Sequence, residues 1–300
     1  MIYIRQTVFL LILGLLMAFA TAGCADRSES TERTTEAVAP QTDISSVTAS
    51  TDYQEGAVTR ADTPVPVPVP VSEFRLCSME DPELGTLYYW LYVPANATAK
   101  MPLILYLHGG SGKGENPELI TDVDGFPRYL RDGQLGDVRA FAVIPQLTAD
   151  RRGWSDIRTS LLRLLDMVAE TYGTDRDNVA LTGHSMGGTG TWSVALSCPG
   201  VFARIAPLSG SIRCTPENLR KLADLPIRAF VGSADTIVPP DSTLTFVEAL
   251  REAGADAAVT VFDGADHFSV PSLAYLDRDT DLVGWLTGNQ KSTAEEGYHG

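Results

Sequence analysis

Apolar residues follow three regimes along the chain. A dense apolar run covers residues 7–20. Residues 25–62 are rich in Ser, Thr, Glu, Asp and Ala and poor in large apolar groups. From Phe74 onward, short apolar runs alternate with stretches of helical spacing. Residues 86–93 are β-branched and aromatic, end at Pro94, and predict a strand. Residues 103–107, closed by His108-Gly109-Gly110, and 141–144, closed by Pro145, predict two more. Residues 178–182, 202–208, 227–231 and 257–262 predict the rest. A helix is predicted over 160–172, with apolar residues at 161, 164, 165 and 168. A second helix fits 186–197. A third fits 241–253, apolar at 244, 247 and 250 and stopped by Gly254.

Short apolar strands alternating with helices indicate an α/β fold, a mostly parallel central sheet covered by helices on both faces. Ligands of such sheets gather at the carboxyl ends of the strands. The pattern divides the chain into a targeting segment (1–24), a polar, Pro-rich linker (25–71), a catalytic-sized domain (72–288) and a polar tail (289–300). Within the linker, Pro64 to Pro70 alternates Pro with Val, which favours polyproline II, a stiff spacer rising about 3.1 Å per residue.

In the targeting segment, Arg5 supplies a positive start, 7–20 the apolar region and Ala22-Gly23 the small residues of a processing site. Thr21-Ala22-Gly23-Cys24 resembles a bacterial lipobox, which implies lipid attachment at Cys24. The protein is therefore expected outside the cytoplasm, either secreted or held at the cell membrane only by that lipid. Of the other cysteines, Cys198 and Cys214 could form a disulfide, with Cys77 free, or all three could be thiols. A net charge of −15 disfavours nucleic acid and anionic lipid as partners. No metal site and no cofactor are expected: the chain has no CxxC pair and no phosphate-loop or dinucleotide fingerprint.

The residues that carry chemistry follow predicted strands. Gly183-His184-Ser185-Met186-Gly187-Gly188 matches G-x-S-x-G between a strand and a helix. Tight turning there demands very small residues two positions either side of the serine and lifts its oxygen clear of the sheet. A serine needs a base. Of the four histidines, His299 lies in the tail, His108 belongs to a glycine turn and His184 sits on the strained turn itself. His267, in a loop after the last strand, remains. An acid between serine and histidine in chain order completes the set, and Asp235, just past residues 227–231, ranks ahead of Asp263 and Asp266. An oxyanion would be met by the N–H of Met186 and by one from His108-Gly109-Gly110-Ser111-Gly112, with Gly110 favoured over Gly109 and Ser111. His108, Gly109, His184 and Trp154 are candidates for the substrate pocket; for Trp154, packing locally on a surface loop is an equal reading.

Residues 102–110, 183–188, 232–239 and 264–267, with Thr189-Gly190-Thr191-Trp192, resemble the α/β-hydrolase superfamily. The branch is similar to secreted peptidases, dienelactone hydrolases, feruloyl esterases and the prolyl oligopeptidase catalytic domain. The resemblance implies an α/β-hydrolase fold and hydrolysis of a small-molecule or polymer-linked ester through an acyl-serine. Peptidase action is the alternative, weakened by the lack of an N-terminal propeller. A tethered module without activity is a third reading, which the intact serine, acid and histidine set disfavours. Only a short connection, 209–225, separates two strands where a large lid could otherwise stand.

Overall fold

The computed structural model describes residues 71–288. The readings of the leader, the linker before Val71 and the tail fall on residues outside this range. The described chain builds one eight-stranded sheet in the order β1-β2-β4-β3-β5-β6-β7-β8. The strands are β1 (Glu73–Asp81), β2 (Gly85–Val93), β3 (Leu103–Leu107), β4 (Phe141–Pro145), β5 (Val179–His184), β6 (Arg204–Leu208), β7 (Ile227–Gly232) and β8 (Ala257–Phe262). Pairings of β1 with β2 and of β2 with β4 are antiparallel; every other pairing is parallel.

Eight helices accompany the strands: α1 (Glu118–Val123), α2 (Gly125–Arg131), α3 (Arg158–Tyr172), α4 (Met186–Ser197), α5 (Pro216–Leu222), α6 (Asp241–Glu252), α7 (Val270–Tyr275) and α8 (Leu282–Leu286). Side chains alternate along β3, and that alternation divides the core. Leu103, Leu105 and Leu107 pack in one cluster with Leu161 and Leu164 of α3, Trp192 of α4 and Phe246 of α6. Ile104 and Tyr106 pack in another with Phe126 of α2, Val270 of α7 and Trp285 of α8. Period-two alternation thus puts α3, α4 and α6 on one face and α2, α7 and α8 on the other. Gly173, left-handed at φ 67°, stops α3, the conformation that glycine adopts at lowest cost.

Differences from the sequence expectation sit at the margins. β1 was not expected, because most of its positions remain at least partly exposed and its apolar content is diluted by charge. β6 begins at Arg204 rather than Phe202, which instead packs in the core beside it. Between β6 and β7 the chain carries only the short α5.

Candidate active site

The turn from β5 into α4 is the mechanical centre of the site. Ser185 sits there at φ 61° and ψ −118°, a strained backbone for a residue with a side chain. Two bonds hold it: its N–H donates to the Leu208 carbonyl at 3.0 Å, and its carbonyl accepts from Thr189 N–H at 2.9 Å. A Cβ on Gly183 would stand 2.5 Å from the Leu107 carbonyl oxygen, and one on Gly187 only 1.8 Å from it. Glycine at both positions is what lets the end of β3 pass under the turn. A Cβ on Gly188 would likewise stand 2.2 Å from the Leu208 oxygen.

Three side chains from three strand ends meet at this turn. The Ser185 hydroxyl lies 2.8 Å from His267 Nε2, and His267 Nδ1 lies 2.7 Å from Asp235 Oδ2. His267 is 3% exposed and Asp235 4%, so water competes little for the pair. Asp235 Oδ1 accepts from the amides of Ile237 (3.0 Å) and Val238 (2.8 Å). Burial pushes the Asp235 carboxyl up, but the Val238 amide and the His267 ring outweigh it, and the group is held below the ordinary carboxylate value. With Nδ1–H directed to Asp235, Nε2 of the neutral ring is a free acceptor for the serine proton. Asp266 instead accepts from the amide and hydroxyl of Ser269, and Asp263 from the Ser233 hydroxyl.

The amide of Met186 opens α4 and that of Gly110 opens a single 3-10 turn, Gly110–Gly112, so neither has an acceptor within its own helix. The positive end of α4 adds to the field at Ser185. Gly109 differs. Its N–H donates to Asp124 Oδ2 at 2.8 Å in a buried bond, so it is not free to meet an oxyanion.

The other pocket candidates turn out to be supports. His108 is fully buried; Leu147 N–H donates to its Nε2 at 3.0 Å, leaving its Nδ1–H for the Gly109 carbonyl at 2.7 Å. Burial lowers the His108 imidazole to about 4, so the ring is neutral. Trp154 is neither a pocket wall nor a surface aromatic: it is 1% exposed, lies edge-on to His108, and donates Nε1–H to the His108 carbonyl at 3.2 Å. His108 lies just past the end of β3, with its ring against Trp154 in the core on the α3, α4 and α6 face, and Trp154 fills the space left by Gly190, where a Cβ would stand 2.4 Å from its ring. Gln146 adds a 2.5 Å bond to the Gly112 carbonyl. His184 does touch the site. Its Nε2–H donates to the His267 carbonyl at 2.9 Å and tethers that loop; burial, then the neighbouring His267, lowers its ring to about 4.

Asp124, between α1 and α2, carries no local sequence signal. Burial pushes its carboxyl up to about 7, against the Gly109 amide, the Tyr106 hydroxyl and the more distant Arg128. Among the described residues Cys77, Cys198 and Cys214 are free thiols, so no disulfide joins Cys198 to Cys214. No group of three or more His, Cys, Asp or Glu among the described residues could hold a metal ion.

The model of the family described as "Dienelactone hydrolase family" matches residues 129–296, more than half of the chain, including positions 185, 235 and 267. A Salmonella typhimurium protein provisionally named a carboxymethylenebutenolidase is 27% identical over 176 residues, which cover 50% of this chain and 65% of that protein. The matched stretch thus spans just under two thirds of that relative. Among solved structures, a thermostable esterase superposes with a TM-score of 0.58 at 25% identity, covering 71% of this chain and 62% of that one. The feruloyl esterase module of Clostridium thermocellum gives 0.57 at 18%, covering 79% and 93%. Pyrococcus horikoshii acylaminoacyl peptidase gives 0.55 at 16%, covering 76% and 43%. The last two speak for the α/β-hydrolase fold alone.

Proposed function

The chain belongs to the dienelactone hydrolase family, and from that premise we propose that it is a serine hydrolase of carboxylic esters, working through an acyl-serine intermediate. The observation that carries the reading is the line Ser185 Oγ, His267 Nε2 and Nδ1, Asp235 Oδ2, with contacts of 2.8 and 2.7 Å. His267 takes the serine proton as Oγ attacks the ester carbonyl. The carbonyl oxygen becomes an oxyanion and is met by the amides of Met186 and Gly110. Such donors are worth about 100- to 1,000-fold each in rate, because they are already aimed where charge develops. The imidazolium, stabilised by ionised Asp235, returns the proton to the leaving alkoxide. Water then repeats the sequence on the acyl-enzyme, with His267 as base.

A fluorophosphonate should label the native protein at Ser185 and should not label Ser185→Ala. Label retained by that variant would reject the nucleophile. A panel of p-nitrophenyl esters of increasing acyl length beside matched peptide anilides separates esterase from peptidase, and faster turnover of the anilides would reverse the substrate class. We further propose that the protein works outside the cytoplasm on a lipid tether at Cys24, supported by the leader and by the polar and Pro-rich stretch that follows it. Membrane association unchanged by Cys24→Ser would reject the tether.

A further inference from the structure

Asp124 is a buried carboxyl that the proposed chemistry does not use. It sits at the N-terminal boundary of α2, where an aspartate ordinarily caps the helix by accepting from the first free amides. Here the side chain makes no capping bond. It reaches instead to the loop after β3, where Oδ2 accepts the Gly109 N–H at 2.8 Å. A Cβ built on Gly109 would stand 3.3 Å from Asp124 Oδ1 and 3.7 Å from Ser185 Cβ, so the carboxyl lies just behind the wall of the site. The Tyr106 hydroxyl, fully buried and without a well-formed bond among the described residues, is near enough to interact with the same carboxyl. Burying a carboxyl is costly, and little of that cost is recovered by helix capping or close ion pairing.

The bond has a structural consequence at the next residue. Gly109 and Gly110 are consecutive glycines, each with wide backbone freedom. The Gly110 N–H points where the Gly109 backbone aims it. His108 and Gly112 hold the Gly109 carbonyl, and Asp124 holds its amide, so the residue is gripped at both ends. Resting on the hydrolase reading above, we propose that Asp124 is the positioning residue of the oxyanion donor: by accepting the Gly109 amide it fixes the direction of the Gly110 N–H. What the role requires is an acceptor oxygen at this place, not a negative charge.

The test compares Asp124→Ala, Asp124→Asn and Ser185→Ala with the native protein on p-nitrophenyl acetate. Asp124→Ala should lower kcat by roughly 10- to 100-fold with KM changed by less than about threefold, as expected when a transition-state donor is misaligned by about an ångström. Asp124→Asn keeps an acceptor oxygen and should return kcat to within about fivefold of native, a rescue that follows hydrogen-bond geometry. An alanine variant within about threefold of native kcat, a loss confined to KM, or an asparagine variant as impaired as alanine would each overturn the proposal while leaving the nucleophile intact. Turnover retained by Ser185→Ala would overturn both readings together. If Asp124→Ala does not fold, the native Gly109 amide decides: it should be protected from hydrogen exchange and lose protection in Asp124→Asn far less than a broken bond would require. Exchange at solvent rates in the native protein ends the proposal.

Discussion

Replacing Asp235 by asparagine should silence the site while leaving the fold intact, for a reason that can be followed atom by atom. Oδ1 accepts two backbone amides, from Ile237 at 3.0 Å and Val238 at 2.8 Å. In Asp235→Asn only the new side-chain oxygen can occupy that position, because an NH2 group there would face two donors. The NH2 is then forced to the Oδ2 position, 2.7 Å from His267 Nδ1, where it donates. Nδ1 must accept, so the ring proton moves to Nε2 and points at the Ser185 hydroxyl, 2.8 Å away. An imidazole in that tautomer cannot take the serine proton. The same exchange of tautomer in a serine protease triad costs about 10⁴ in kcat, or roughly 5.5 kcal/mol of transition-state stabilisation. Steady-state kcat on p-nitrophenyl acetate and the rate of fluorophosphonate labelling should both fall by about that factor. The urea midpoint should move little, since both backbone bonds persist. A well-folded Asp235→Asn with kcat within about tenfold of native would refute the assigned tautomer and, with it, the role of Asp235.

Two buried neutral histidines predict a fold that weakens in acid. His108 and His184 are held at about 4 against an ordinary 6.5, so the unfolded chain binds more protons between those values. Their contribution is complete above pH 6.5 and is lost as pH falls towards 4, roughly 3 kcal/mol apiece, while Asp124, raised to about 7, takes up a proton in the folded state over the same window and offsets part of that loss; urea unfolding at stepped pH should show the reduced net slope, and His184→Gln should flatten it further. Gly187→Ala places a methyl 1.8 Å from the Leu107 carbonyl and should cost at least about 3 kcal/mol together with fluorophosphonate labelling, whereas Gly110→Ala, with no atom within 4 Å of the new methyl, should leave the urea midpoint near native. A disulfide reagent such as DTNB should react fastest at exposed Cys214, slower at half-buried Cys77 and only on unfolding at Cys198; a protein with one fast thiol fewer after Cys214→Ser supports the assignment, and an unchanged fast phase opposes it.

Ser185 and His267 are legible from sequence because their signals are local. The glycines around Ser185 record a turn too tight for side chains, and of the two histidines after the last strand, His299 lies in the polar tail. The sheet is legible for the same reason: buried parallel strands are near-continuous apolar runs, and β3 to β7 are mostly apolar with few polar positions. β1 left little trace because an edge strand tolerates charge on its open face. α1 and α2 are equally obscure, since each is short and Pro127 interrupts the helical pattern of α2.

The sequence by itself determined the fold class and placed a strained serine, a base and an acid on the carboxyl ends of separate strands. Only the tertiary structure decided what the neighbours do. In sequence His108 borders the glycine turn and Trp154 falls in a loop, yet the contact of their rings and the gap at Gly190 bury them as struts. Asp124 is one carboxylate among many in an acidic chain, and its contact with Gly109 spans 15 residues. Motif chemistry is written in spacing along the backbone, whereas burial and the partner of each buried polar atom arise only when distant segments pack.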